Sequence, residues 1–211
     1  MLYFRAIFRI KLAGGDDMFD KCGSRIAGIL SENRIIREED REIIVYGLDA
    51  LLSTLANLVI IIVIGILLGQ FVQTVVFLVS FAALRVFAGG YHARTRIGCT
   101  ATFIIIYLAG MALQQYTPNM LIKPAAVCLA LASLVSVLVL APIEHPNRPF
   151  QDNEYQVFKT ASRVVAGLET LLVVLGISFT GYVNLAYCIS LAMLGVTIVL
   201  ILARKFGKRS E

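Results

Sequence analysis

His92 and Cys99 stand seven residues apart in the run Arg85-Val-Phe-Ala-Gly-Gly-Tyr-His-Ala-Arg-Thr-Arg-Ile-Gly-Cys99. An imidazole and a thiol in one polar stretch can support thiolate attack on a carbonyl. The histidine would act first as base toward the thiol and then as acid toward the leaving group. The same residues would also suit an ordinary polar loop, so the decision rests on what surrounds them. Cys99 falls at the first turn of a long apolar segment, where unpaired N–H groups and the positive end of the helix dipole stabilise a thiolate. Arg94 and Arg96 act in the same direction and are candidate substrate contacts. The N–H groups of that turn are also placed to receive an oxyanion.

Geometry adds a condition. On one straight helix, residues seven apart share a face but lie about 10.5 Å apart, too far for a hydrogen bond. The chain must therefore fold back between His92 and Cys99. Gly89, Gly90 and Gly98 give it the freedom to do so, although a plain glycine cap on the preceding helix explains Gly89 and Gly90 equally well. Arg85, near the end of that helix, reads either as an arginine snorkelling to the interface or as a clamp that orders the loop. Asp49 and Glu169 lie within apolar segments and are candidates for orienting His92. Both fall near the same ends as the motif, where solvation or an arginine partner would serve equally well. Gln114 and Gln115 sit at the opposite end. His92, Cys99 and His145 lack the paired spacing of a zinc site, so neither a metal nor a cofactor is expected.

The elements that must position these residues are membrane helices. Of 211 residues, 58% are hydrophobic, far above a soluble domain of this size. Six stretches approach the roughly 20 apolar residues needed to cross about 30 Å of hydrocarbon: Ile43–Leu68, Phe71–Ala88, Ile97–Leu113, Pro124–Ala141, Val164–Thr180 and Tyr182–Ala203. The fold class is therefore all-α, a polytopic membrane protein with six transmembrane helices. Residues 1–17 form an extension, either an added interfacial anchor or a segment ahead of a start at Met18; interrupted by Arg5, Arg9 and Lys11, they do not resemble a signal peptide. Residues 18–42 pattern as an interfacial amphipathic helix, 43–203 as the six-span domain and 204–211 as a basic tail. Tyr155, Val157, Phe158 and Ala161 suggest a second short interfacial segment before span five.

Eighteen of the 19 Lys and Arg residues fall on one side of this topology, with Lys123 alone on the other. Basic residues stay inside, so both termini and the His92/Cys99 stretch are expected in the cytoplasm. This topology accounts for the net charge of +5 without a nucleic-acid partner. The four cysteines have no paired spacing, and Cys22 and Cys99 would face a reducing compartment, so no structural disulfide is expected.

The set Arg85, Gly89, Gly90, His92, Ala93 and Cys99 resembles the signature of the accessory gene regulator B family, the membrane cysteine endopeptidases of Gram-positive quorum sensing. The resemblance runs from about Met18 to the C-terminus and includes the Ala141-Pro142 joint after span four. It implies that Cys99 is the nucleophile, His92 its partner, and Arg85 and Gly90 positions needed for activity. It further implies a small amphipathic signalling propeptide as substrate, trimmed of its C-terminal tail and closed into a thiolactone or lactone. Membrane lipid would be a further partner, and a homodimer is compatible. One departure concerns the joint after span four, often strongly basic in the family but here diluted by Glu144, Asp152 and Glu154. Two other classes fit the same span count: a small transporter or channel, and a non-catalytic scaffold that binds a peptide.

Overall fold

A computed structural model describes residues 41–89, 96–143 and 154–206. Among them the chain is helical: α1 (Arg41–Leu67), α2 (Phe71–Ala88), α3 (Arg96–Tyr116), α4 (Asn119–Leu140), α5 (Glu154–Ser178) and α6 (Val183–Phe206), with one 3-10 turn at Thr180–Tyr182. In hydrocarbon no water is available to pair with backbone groups, so an apolar segment must satisfy them within itself, as a helix does. Four helical stretches are long and apolar enough to cross a membrane: Phe71–Ala88, Asn119–Leu140, Glu154–Ser178 and Thr180–Lys205. The expected interfacial helix over 18–42 falls outside the described residues, apart from Arg41 and Glu42 at the start of α1.

The chain divides into two compact units, Met1–Val59 and Ile60–Glu211. In the first, the described part is the amino-terminal portion of α1. The second is a helical bundle built on α6, which packs against α2, α3, α4 and α5. Sixty-seven per cent of its apolar window is buried, against 28–39% for the other three long apolar helices. Small residues permit this close approach. A Cβ on Gly176 would meet the Ala186 Cβ at 2.9 Å, and one on Gly195 would meet Ile106 Cγ2 at 2.8 Å. The α2–α3 contact is aromatic, with Phe77 edge-on to Tyr107 at 5.6 Å between centroids and Phe81 against Phe103 at 4.9 Å. Outward faces remain apolar, as with Val135 and Val139 on α4 and Leu168, Leu171 and Leu175 on α5, which suits a lipid surface.

The helix ends follow from local sequence. α1 stops at Gly69 (φ +66). There the Gln70 amide reaches the Gly65 carbonyl at 2.9 Å and the Gly69 amide reaches Ile66 at 3.0 Å, a Schellman closure. α4 stops before Pro142, with Ala141 already extended, because proline disfavours a helical residue before it. One expectation needs correction at α5, which begins at Glu154 and not at Val164. The Tyr155–Ala161 stretch is the first part of α5, continuous with the apolar part, and not a separate interfacial segment. α6 likewise runs to Phe206, taking Arg204 and Lys205 into its last turn, where the dipole favours basic side chains.

Candidate active site

The Arg85–Cys99 stretch begins where α2 and α4 end side by side. The Ile143 amide donates to the Ala88 carbonyl at 3.1 Å, and Gly89 forms an isolated parallel bridge with Ile143. Gly89 has φ 71 and ψ −151, a region essentially closed to residues with a side chain. A Cβ there would also run into the Ile143 carbonyl oxygen. Position 89 thus requires glycine for two independent reasons: backbone conformation and close approach. The Arg85 Nη1 donates to the Gly89 carbonyl, four residues along in its own motif. The Gly89 amide in turn reaches the Arg85 carbonyl at 3.1 Å.

Neighbouring elements hold the same end together. Arg163 of α5 donates from Nη2 to the Leu138 carbonyl at 3.2 Å, satisfying an acceptor in the last turn of α4. Phe87 on α2 meets Phe158 on α5 with ring centroids 6.3 Å apart. A carbonyl-rich helix end carries partial negative charge, and each of these two ends has an arginine on it.

α3 starts at Arg96 and has Cys99 as its fourth residue, so the cysteine backbone lies in the first turn, where helix N–H groups lack intrahelical partners. Thr102 Oγ1 donates back to the Gly98 carbonyl at 2.7 Å. The side chains of Arg96 and Cys99, and Gly90, His92, Arg94 and His145 entirely, lie outside the described residues, as does the Asp49 side chain. The structure therefore brings Arg85 and Gly89 together with Ile143 and puts the Cys99 backbone at a helix start.

Glu169 departs from expectation. It is only 5% exposed, and its buried Oε2 has no hydrogen-bond partner. Among the described residues, that oxygen is thus neither in water nor on an arginine. Gln114 and Gln115 lie where expected, at the end of the bundle away from the motif. Gln70 Nε2 donates to Gln115 Oε1 there, and Gln114 Nε2 to the Asn184 carbonyl, both at 3.0 Å. The cavity of about 310 Å³ at that end is lined by carboxamides and Thr117 among polar residues. Its lining holds no carboxylate, imidazole, amine or thiol and is unsuited to the chemistry of the motif. Sequence reading missed the Ile143 contact with Ala88 and Gly89, as well as Arg163 on the end of α4. The run Ala141-Pro142 was the signal for the first, since it forces an extended segment at that point.

Comparison with known proteins points to one family. Residues 24–202 match the accessory gene regulator B family. A protein provisionally named AgrB-like from Lactiplantibacillus plantarum is 28% identical over 97 residues, which cover 46% of this chain and 48% of that protein. Two AgrB-like proteins from Clostridium perfringens are 32% and 30% identical over 89 residues, covering 42% of each partner. The chain thus aligns over about half the length of these relatives or less. No solved structure matches it. The match over most of its length makes the chain a member of the accessory gene regulator B family.

Proposed function

We propose that this protein is a six-span membrane cysteine endopeptidase that trims and cyclises a small amphipathic propeptide of quorum sensing. On this reading both termini and the motif face the cytoplasm. What supports it is the family match over residues 24–202, with the tie of Arg85, Gly89 and Ile143 at the end of α2 and the Cys99 backbone in the first turn of α3.

The chemistry runs as follows. His92 takes the Cys99 proton, and the thiolate attacks the carbonyl carbon at the cut site. The oxyanion so formed is received by N–H groups at the start of α3. Collapse breaks the C–N bond, His92 returns its proton to the departing amine, and the tail leaves. A thioester between the peptide and Cys99 remains. The peptide's own cysteine or serine then attacks that thioester, giving up its proton to His92, and the ring closes as the Cys99 thiol re-forms. An intramolecular nucleophile acts at high effective molarity and so outruns water. On this reading Arg94 and Arg96 meet acidic or carboxylate groups of the substrate. Purified protein in lipid, given a candidate propeptide, tests this reading. Tail release that depends on Cys99 supports it; an unchanged peptide, under conditions where the protein is folded, points to the transporter or scaffold.

A further inference from the structure

Ser133 on α4, Glu169 on α5 and Thr197 on α6 are 1%, 5% and 6% exposed. Each has a buried side-chain oxygen with no hydrogen-bond partner: Ser133 Oγ, Glu169 Oε2 and Thr197 Oγ1. Native interiors leave few such atoms. The two hydroxyls are also unusual within this bundle. Four other buried hydroxyls donate to a carbonyl three or four residues back, Thr74 to Gln70, Ser162 to Lys159, Thr170 to Ala166 and Ser190 to Tyr187. Ser133 and Thr197 do not, which leaves both hydroxyls available to a group between helices.

The three helices pack on one another, and contacts between them relate their depths. Arg163 on the Leu138 carbonyl sets the antiparallel register of α5 on α4. Counting from that pair, Glu169 and Ser133 stand at similar depth, within the reach of an arginine side chain. The close approach of Gly176 to Ala186 sets α5 on α6 and puts Thr197 ~6 Å nearer the motif end than Glu169. Helical side chains lean toward the helix N-terminus, which for α5 is that same end, so the glutamate reaches toward Thr197. All three lie on inward faces: Ser133 in the stripe with Ala126, Ala130 and Val137, and Glu169 in the stripe with Ala166 and Val173.

A carboxyl group needs an opposite charge when buried in ionised form. The described basic side chains are elsewhere. Arg85 is on the Gly89 carbonyl and Arg163 on Leu138; Lys159 lies over the Tyr155 ring; Lys123, Arg204 and Lys205 are exposed near helix ends. One carboxylate with two hydroxyls is an all-oxygen donor set of single negative charge, suited to a small hard cation. We infer that Ser133, Glu169 and Thr197 form an intramembrane site for a monovalent metal cation of the sodium class, separate from the peptidase motif. It is independent of the reading of His92 and Cys99.

The test uses the full chain in lipid nanodiscs at fixed pH and ionic strength, with sodium chloride exchanged for choline chloride. A ligand that binds only the folded state raises its thermal midpoint. The expected result is a sodium-dependent rise of several degrees, together with one radioactive sodium ion bound per chain. Both signals should be lost in Glu169→Gln and weakened in Ser133→Ala and Thr197→Val. Wild-type protein that neither binds nor responds to sodium overturns the site, as does a midpoint that follows pH alone and reveals a proton as the ligand. A folded Glu169→Gln variant that still binds sodium overturns it too.

Discussion

Cys99 and His92 act as one unit in the proposed reaction, and removing either removes the route. Cys99→Ala and His92→Ala should each abolish tail release, and the double variant should be little worse than either alone. Cys22→Ala, Cys128→Ala and Cys188→Ala should retain activity. Of these three, only Cys188 is known to be buried, with Sγ 3.1 Å from the Gln73 carbonyl, so its replacement should cost stability without touching the rate. Cleavage assays and thermal melts on the same preparations separate the two effects. Gly89→Ala is a different case. It meets both a forbidden backbone region and the Ile143 carbonyl, and a strained conformation of this kind costs about 1–3 kcal/mol. The melt should fall accordingly, and tail release should fall further than the melt explains, because the stretch of chain carrying His92 follows this residue directly.

At the scale of elements, the bundle depends on close approach around α6, and glycines there are not equivalent. Gly176→Val should destabilise by about 1–3 kcal/mol through overpacking, since the Ala186 Cβ already lies 2.9 Å from where its own Cβ would stand. Gly167 in the same helix has nothing within 4 Å of such a Cβ. Gly167→Ala should therefore be neutral or stabilising by up to about 1 kcal/mol, the difference in helix propensity. Equal melts for the two variants would contradict the packing described. Part of this level was legible in sequence: each apolar run overlaps a helix among the described residues, four of them long and apolar enough to cross a membrane, and Gly69 and Pro142 mark ends by their own chemistry. α5 was misjudged because Glu154–Arg163 is polar and looks detached from the apolar run, although it carries the same inward stripe. Glu169 was misjudged because a position along one helix does not reveal which helices cover it. The meeting of Ala88 and Gly89 with Ile143 depends on tertiary packing between distant segments, which a single sequence does not encode in any local pattern.

For the whole molecule, the uneven placement of 18 basic residues against Lys123 predicts the orientation. An impermeant thiol reagent on intact cells should spare cysteines introduced at Arg94 or Ser210 and label one introduced at Asn119. Labelling of position 94 from outside would reverse the orientation and move the proposed reaction to the other face. The central claim, a covalent route through Cys99, is tested most directly with a propeptide whose ring-forming cysteine or serine has been replaced by alanine. Such a peptide can be cut but cannot close. Intact mass spectrometry of the quenched protein should show a peptide adduct that hydroxylamine removes and that a Cys99→Ala protein never carries, with the tail released in equal amount. Tail release by the wild-type protein with no adduct at any time would contradict the account and favour cleavage by an activated water.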